Sequence, residues 1–296
     1  MVFYLALTIQ ELIDMFIASR VSYCAEASIE YYQDCLTLFG SFLSSRGFSS
    51  PRDLTKQLLS DYSVYLRDGR QIKATSIHTN FRAINAFIAW MIEEDYMEEF
   101  RYHIKLPRQN PEIVLPLSGA EVQVLLDTIK KRSSDPIRDV CIFRLMLDCG
   151  LRSSEVRNLR VKDVHPDKIL TVCNSKFNKS RVLPVPDRVQ PLLLYQIRGK
   201  RSSDFVFSSK TGLKLTENSI KLFFSKLKDR SGVYRVHAHL LRHTFATSYM
   251  MRHNNIEYLR IYMGHSSYQV TQRYVHLASQ CLLTRYDVYQ ISSVFL

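Results

Sequence analysis

The sequence predicts a mainly α-helical protein with a small β-sheet, built as a helical bundle followed by an α+β domain. Three observations support this fold class. Apolar residues recur at helical spacing through the first hundred residues, a proline-containing stretch then lacks any helical period, and only the second part contains short β-branched runs. The chain has 296 residues, which is enough for two domains of ordinary size.

The first predicted domain, residues 1–105, has helical patterns throughout. Two apolar faces follow helical spacing: Ile29, Tyr32, Leu36, Phe39 and Leu43 make the first, and Ile77, Phe81, Ile84, Ile88 and Met91 make the second. Thr8 and Glu11 form a capping-box pattern, and Gly47 can end the second helix. These signals predict a bundle of four to five helices.

Residues 106–117 hold three prolines and predict an extended linker. The second domain then covers residues 118–296 and opens with a capping-box pattern of Ser118 and Glu121. We expect helices at about 118–132 and 136–149, a β-hairpin with a basic connection at 174–180, a short strand at 205–208, and helices from Thr216 onward.

The charge of the chain favours an anionic partner. The net charge is +12, and it is uneven: residues 1–110 hold 11 Lys and Arg against 13 Asp and Glu, whereas residues 111–296 hold 29 against 15. Nucleic acid is the commonest large anion, so we expect it mainly against the second part; a merely basic surface is the alternative. In the first part, Arg70, Lys73 and Arg82 lie in a local basic stretch and are candidate DNA contacts.

Composition excludes several classes of protein. Hydrophobic residues make up 46% and charged residues 23%, the balance of a folded soluble chain. No apolar run approaches the ~18 residues that a membrane span needs, and the apolar start is too short for a signal peptide, so we expect a cytoplasmic protein. The six cysteines form no CxxC pair, which favours reduced thiols without a metal role.

Three stretches combine residues suited to anion chemistry. In CGLRSSEVR, Arg152 follows a glycine and precedes Glu155 at helical spacing. In HAHLLRHTFAT, one helical face carries His239, Arg242 and His243. In MGHSSYQVTQRYVHL, Gly264 can end a helix before His265, and Tyr274 follows nine residues later.

Each stretch also has a simpler interpretation. Arg152 and Glu155 can form an ordinary ion pair at a helix start, the histidines can be satisfied polar groups, and Tyr274 can be a packing residue. A zinc site of His239, His243 and His265 is a further alternative. Leu240 counts against a zinc protease, because those enzymes place a glutamate base directly after the first histidine.

Together these stretches resemble the catalytic domain of the tyrosine recombinases, also called the phage integrase family. The quoted matches are GLRSSE to the family's Gly-Leu-Arg-x-Ser-Glu, His239 and Arg242 to His-x-x-Arg, Gly264-His265-Ser266 to Gly-His-Ser, and Tyr274-Val-His276 to the nucleophile's Tyr-x-His. The resemblance covers roughly residues 111–280. It also implies that the first domain is the family's core-binding, SAM-like bundle, a match by architecture only.

The family's lysine lies on a hairpin turn within Gly-Lys-Gly-x-Lys. Here Ser175 and Phe177 replace both glycines, so Lys176 aligns best and Lys179 stays open. The resemblance therefore implies a catalytic set with Glu155 in support: Arg152, Lys176, His239, Arg242, His265 and the nucleophile Tyr274. The arginines and His265 would bind the phosphate, His239 would act as base, and Lys176 would protonate the leaving oxygen; Lys179 is otherwise a DNA contact.

The implied activity is DNA strand exchange by transesterification, through a 3′-phosphotyrosyl intermediate, in a site-specific recombinase of a mobile element. No cofactor and no metal is implied, because the arginines supply the positive charge. The implied partners are double-stranded recombination sites, a homotetramer on that DNA and an accessory directionality protein. The apolar residues 288–296 would dock on a neighbouring protomer or pack on their own domain.

Two other functions stay open at this point. One is a non-catalytic DNA-binding regulator with a recombinase-like fold. The other is a zinc hydrolase that uses the three histidines.

Overall fold

A computed structural model describes residues 7–108, 114–174, 179–209 and 212–283, with the backbone alone at 174, 179 and 280–283. Within these ranges the chain is mainly helical with one small sheet, so the predicted fold class is confirmed. The chain divides into two compact units, Met1–Glu112 and Ile113–Leu296.

Over its described residues, the first unit contains four α-helices, which are α1 (Ile9–Arg20), α2 (Glu26–Ser45), α3 (Lys56–Val64) and α4 (Ala74–Glu93). Thr8 and Glu11 form the predicted capping box at the start of α1. A 3-10 turn at Pro51–Asp53 and a π-helical turn at Tyr65–Gly69 connect the longer helices. The second predicted apolar face is fully buried in the core, whereas Ile29 and Tyr32 of the first face are half-buried.

The extended segment after α4 packs against this unit. Tyr102, Ile104 and Leu106 contact its core, and His78 Nε2 lies 2.9 Å from the Pro107 carbonyl oxygen. The beginning of the predicted linker is therefore held by apolar packing and a hydrogen bond on the first unit.

The second unit is built around a three-stranded antiparallel sheet in the order β1 (Val164–His165), β2 (Ile169–Asn174) and β3 (Lys179–Pro184). Leu170 of β2 pairs with Leu183 of β3, and both side chains are buried. The predicted hairpin is confirmed in its two strands. Residues 175–178 of its connection, which include Lys176, lie outside the described residues.

The helices described in this unit are, in chain order, α5 (Gly119–Arg132), α6 (Pro136–Asp148), α7 (Ser153–Asn158), α8 (Gln190–Ile197), α9 (Glu217–Ser231), α10 (Ala238–His253), α11 (Ile256–Met263) and α12 (Tyr268–Leu283). The first two match the predicted helices closely, and Ser118 and Glu121 form the predicted capping box. The predicted catalytic arginine, histidine and tyrosine side chains lie where the end of α6 and the starts of α7 and α10 meet α11 and α12.

The predicted strand at 205–208 is wrong. Phe205 and Ser208 each form only an isolated bridge, to Arg160 and Lys214 respectively. Val206 and Phe207 between them are buried, and the Val206 N–H donates to the Leu159 carbonyl at 2.9 Å. The β-like composition of this segment therefore reflects burial in a loop rather than pairing in the sheet.

No helix in the described part of the chain is long and apolar enough to cross a membrane. The described cysteines, which are Cys24, Cys35, Cys141, Cys149 and Cys173, carry free thiols, as predicted.

Candidate active site

Arg152 is placed by a sharp turn after α6. Gly150 has a φ of +61°, and a Cβ atom at this position would lie 2.5 Å from the Phe245 Cδ1 atom. Leu151 and Val156 are fully buried on either side of Arg152 and fix the short helix α7. Glu155 accepts hydrogen bonds from the Arg152 backbone N–H and from Arg152 Nη1, both at 2.8 Å. The predicted ion pair is therefore present, and it holds the arginine at the start of α7.

Glu155 also meets two other guanidinium groups. Arg181 of β3 donates through Nη1 to Oε1 at 2.8 Å and through Nη2 to Oε2 at 2.9 Å. Arg242 Nη1 lies 3.8 Å from Oε2. Burial opposes ionisation of this carboxyl, but the hydrogen bonds and charge of Arg181 and the Arg152 backbone N–H outweigh it and lower the pKa of Glu155 to about 2. Glu155 is thus a buried anion at neutral pH.

Arg242 lies on the buried face of α10 and is only 5% exposed. Its guanidinium donates to the carbonyl oxygens of Gly150 and, at 2.6 Å, Met263. Burial and the charge of Arg152 lower the pKa of Arg242, while Glu155 raises it. An arginine keeps its proton at neutral pH even so, which makes this group a fixed buried cation.

His265 follows the turn at Gly264, whose φ is +62°. Its Nδ1 lies 2.9 Å from Thr271 Oγ1, and its Nε2 lies 3.3 Å from Arg242 Nη2. A guanidinium can only donate, so Nε2 accepts and the ring proton lies on Nδ1. Burial and the charges of Arg242 and Arg152 lower the pKa of His265 to about 3, so the ring is neutral at pH 7.

Tyr274 lies on α12 beside two histidine rings and is 8% exposed. The His265 ring is nearly parallel to it, with centroids 6.4 Å apart, and the His243 ring meets it at 63° with centroids 5.4 Å apart. Burial raises the pKa of Tyr274, and the charges of Arg242, Arg273 and Arg152 oppose that rise. The phenol is therefore protonated at neutral pH and lies in a positive field.

His239 is exposed at the start of α10, one turn before Arg242. Desolvation of its ring and the positive charges of His237, Arg242 and Arg152 lower the pKa of His239. A neutral imidazole at this position can accept a proton.

The remaining predicted residues lie elsewhere. Lys176 and residues 288–296 fall outside the described residues, and Lys179 is described only as backbone in β3. Arg70, Lys73 and Arg82 belong to the first unit and are exposed: Arg70 and Lys73 precede α4, and Arg82 lies more than two turns into that helix. Arg82 Nη2 donates to Thr79 Oγ1 at 2.9 Å. Within the described ranges, none of the three side chains forms an ion pair with an acidic group.

The arrangement of the three histidines differs from a metal site. His243 packs its ring against Tyr274, and His265 is engaged with Thr271 and Arg242. Over the described ranges, no three His, Cys, Asp or Glu side chains are grouped so that they could hold a metal ion.

Arg181 is the main residue that sequence reasoning missed. It lies just after the predicted hairpin connection, and none of the matched motifs contains it. Strand alternation could have found it, because Arg181 shares the inward face of β3 with the buried Leu183 and Val185, whereas Val182 is exposed. An arginine at an inward position needs a buried partner, and here that partner is Glu155.

The site can therefore bind an anion and place a phenol beside it. One buried carboxylate organises three guanidinium groups, from α7, β3 and α10, and a neutral histidine connects the Arg242 guanidinium to the tyrosine ring. Such planar, charged donors match the oxygens of a phosphate group.

Comparison with known proteins agrees with this chemistry. Residues 116–280 match the phage integrase family, and residues 8–108 match the phage integrase SAM-like domain. A tyrosine recombinase of Pseudothermotoga lettingae is 27% identical over 238 residues, covering 77% of this chain and 80% of that protein. The tyrosine recombinase XerC of Bacillus pumilus is 24% identical over 273 residues, covering 88% of each.

Solved structures show the same fold. The Tn1549 transposon integrase in complex with circular intermediate DNA aligns with a TM-score of 0.73 at 19% identity, covering 90% of this chain and 95% of that one. The catalytic-domain match takes in more than half of the residues, so the chain belongs to the phage integrase family, the tyrosine recombinases that exchange DNA strands.

Proposed function

We propose that this chain is a site-specific recombinase of a mobile element that cuts and rejoins DNA through a 3′-phosphotyrosyl intermediate. The observation that supports this most is the position of Tyr274, whose ring is parallel to that of His265, while His265 lies 3.3 Å from Arg242. This arrangement favours a nucleophile and phosphate-binding groups that are supplied by the same chain.

Arg152 and Arg242 are assigned to the non-bridging oxygens of the scissile phosphate. Attack on phosphorus concentrates negative charge on these oxygens in a five-coordinate transition state. Fixed guanidinium groups in a partly dry site stabilise that charge, and the loss of one such donor typically costs about 3–4 kcal/mol. His265 could donate a hydrogen bond from Nε2 to a phosphate oxygen only after the ring proton moves there from Nδ1 or a second proton binds.

Tyr274 Oη forms the new bond to phosphorus, and His239 takes the phenolic proton. Because burial keeps the phenol protonated in the free protein, we expect proton transfer to accompany attack rather than to precede it. The bond between phosphorus and the 5′ oxygen breaks, and Lys176 protonates that oxygen. In rejoining, a 5′ hydroxyl attacks the phosphotyrosine, and one phosphodiester replaces another without an external energy source.

The working assembly is proposed to be a homotetramer on two double-stranded sites in the cytoplasm, at the nucleoid, with an accessory protein setting direction. Residues 1–105 would serve as the core-binding domain, 106–117 as the linker and 118–296 as the catalytic domain. Arg70, Lys73 and Arg82 would contact DNA in the first domain, and residues 288–296 would dock on a neighbour.

The test is capture of the covalent intermediate. The target site is first selected from a random DNA pool by binding, then built into a nicked suicide substrate and incubated with protein in EDTA. We expect a protein–DNA adduct on a denaturing gel, and its loss in Tyr274→Phe with DNA binding retained. An adduct that persists in Tyr274→Phe contradicts the nucleophile assignment, and tight site-specific binding without any adduct in the wild type favours the non-catalytic regulator.

A second experiment decides between the two lysines. A substrate with sulfur in place of the scissile 5′ oxygen has a better leaving group that needs no proton, because a thiol ionises near pKa 8.5. Lys176→Ala should lose cleavage of ordinary DNA and regain it on the sulfur-containing substrate. The same rescue in Lys179→Ala, without rescue in Lys176→Ala, would move the general-acid role to Lys179.

A further inference from the structure

We propose that Arg181 of β3 is a positioning residue for the strand-exchange reaction, which acts by saturating the Glu155 carboxylate so that the guanidinium groups of Arg152 and Arg242 stay available for the phosphate. The inference rests on the proposed function. It concerns a residue outside the matched catalytic motifs.

The hydrogen bonds of Glu155 are the first observation that supports this role of Arg181. Oε1 accepts from Arg152 Nη1 and Arg181 Nη1, both at 2.8 Å. Oε2 accepts from the Arg152 backbone N–H at 2.8 Å and from Arg181 Nη2 at 2.9 Å. A carboxylate has about four acceptor positions, and these four bonds fill them. Two of the four come from Arg181.

The second step concerns Arg242. Its Nη1 is 3.8 Å from Glu155 Oε2, beyond hydrogen-bonding distance, and its bonds go to the Gly150 and Met263 carbonyl oxygens instead. Without Arg181, two acceptor positions on a buried anion would open beside Arg152 and Arg242. Each guanidinium would then be drawn toward the carboxylate, since an unpaired buried charge is costly.

The third step is that Arg181 connects three segments of the site. Its side chain is 10% exposed, and its Nε donates to the Tyr262 carbonyl oxygen at 2.8 Å near the end of α11. A Cβ atom on Gly264 would lie 3.1 Å from Arg181 Nη1, so the guanidinium packs directly on the turn before His265. One side chain thereby fixes the hairpin strand, the Glu155 carboxylate and the turn that presents His265.

The experiment uses Arg181→Met, which keeps an unbranched apolar side chain but shortens it and removes its charge and donors, and Arg181→Lys, which keeps the charge without the planar, forked set of donors. Glu155→Gln and the double variant, which combines Arg181→Met with Glu155→Gln, complete a double-mutant cycle. Arg138→Met is the matched control, since Arg138 also pairs with a buried acid, Asp139, but lies ten residues, about 15 Å along α6, from the end of that helix.

We measure DNA affinity, folding by circular dichroism and the single-turnover rate of adduct formation. Arg181→Met should slow adduct formation roughly 10- to 100-fold, as a misplaced reacting group does, with DNA affinity within about twofold of the wild type. Arg181→Lys should recover part of the rate, and the loss in the double variant should be clearly smaller than the product of the two single losses, because Arg181 acts mainly through Glu155.

The inference would be overturned if Arg181→Met cleaves DNA as fast as the wild type, or if the two single losses multiply in the double variant. Slowing by the same factor in Arg138→Met would do so as well, since a general loss of stability would then explain the effect. If Arg181→Met does not fold, the double-mutant cycle is measured with Arg181→Lys in its place, and that result decides whether Arg181 acts through Glu155. Site-specific DNA binding without any adduct in the wild type would instead remove the proposed function itself, which keeps the two failures distinct.

Discussion

At the scale of single residues, Gly150 is constrained twice. Its backbone occupies the left-handed region, with a φ of +61°, and the Phe245 ring fills the space where a side chain would begin. The turn that presents Arg152 and offers a carbonyl oxygen to Arg242 therefore depends on the absence of a Cβ atom.

We predict that Gly150→Ala destabilises the protein by more than about 3 kcal/mol, because left-handed strain of about 1–2 kcal/mol adds to a steric overlap. Gly232→Ala is the control, since Gly232 has a φ of +73° and open space around it. Gly232→Ala should lower the free energy of unfolding by the backbone strain alone. Urea unfolding measures both, and equal losses would show that the contact with Phe245 is unimportant.

The two half-buried histidines beside Tyr274, His243 and His265, should make stability depend on pH. Burial, followed by nearby positive charges, lowers the pKa of His243 to about 4 and that of His265 to about 3. Unfolded histidine titrates near 6.5, so below about pH 6.5 the unfolded chain binds more protons than the folded one. Stability is therefore complete above that pH and falls as the pH drops toward 4.

We predict that the melting temperature falls between pH 7 and pH 5, with each histidine contributing up to about 2 kcal/mol at pH 5. His243→Phe, which keeps a ring against Tyr274, should flatten this dependence. His253→Gln changes an exposed histidine of the same helix and should leave the slope unaltered. An unchanged slope in His243→Phe would rule out its contribution.

At the scale of secondary-structure elements, α5 begins the second unit with several interactions. Ser118 and Glu121 form a capping box, and Glu121 is held in turn by Arg235, which also donates to the Leu115 and Pro116 carbonyl oxygens. The Leu117 N–H donates to Thr244 Oγ1 at 2.9 Å within α10. The start of this helix is therefore tied to distant parts of its unit.

Removing the cap should have a measurable cost. We predict that Ser118→Ala destabilises the protein by about 1 kcal/mol, because the Glu121 backbone N–H loses its acceptor. Ser118→Thr retains the hydroxyl and should cost much less. Chemical denaturation of both variants checks this, and equal effects would mean that the hydroxyl is not what stabilises the helix start.

How far the sequence predicts the molecule depends on whether a signal is local. The capping boxes, the helix faces and the hairpin strands follow from short-range spacing, and Arg152 and Glu155 interact within one turn, as predicted. The strand expected at Phe205 is a buried loop, because composition does not distinguish burial from pairing. Strand alternation marks Arg181 as an inward-facing arginine, but its bond to Glu155 spans 26 residues, so no local pattern identifies the partner.

At the scale of the whole molecule, the positive charge lies mainly in the second part of the sequence, with 29 basic and 15 acidic residues in 111–296. The first part carries a slight negative excess but exposes Arg70 and Lys73 just before α4 and Arg82 within it. Binding to a polyanion through such groups releases counterions, so affinity should fall steeply with salt.

We predict that Arg70→Gln, Lys73→Gln and Arg82→Gln each weaken DNA binding and reduce the slope of log affinity against log salt by about 1 where the side chain contacts a phosphate. Arg101→Gln is the control, because Arg101 pairs with Glu99 at 2.6 Å. Filter binding over a salt series gives the slopes. A slope that stays unchanged in all three variants would exclude them from the phosphate interface.

The packing of Tyr274 among the residues of its own chain has a consequence for mixed assemblies. The phenol ring lies against His243 and His265 of the same polypeptide, so each subunit should cut only with its own tyrosine. A mixture of Tyr274→Phe subunits with Arg152→Ala subunits should then form no adduct. Each variant retains the group that the other lacks, but no subunit can use the tyrosine of its neighbour. Restored adduct in such a mixture would mean that a tyrosine can be donated between subunits.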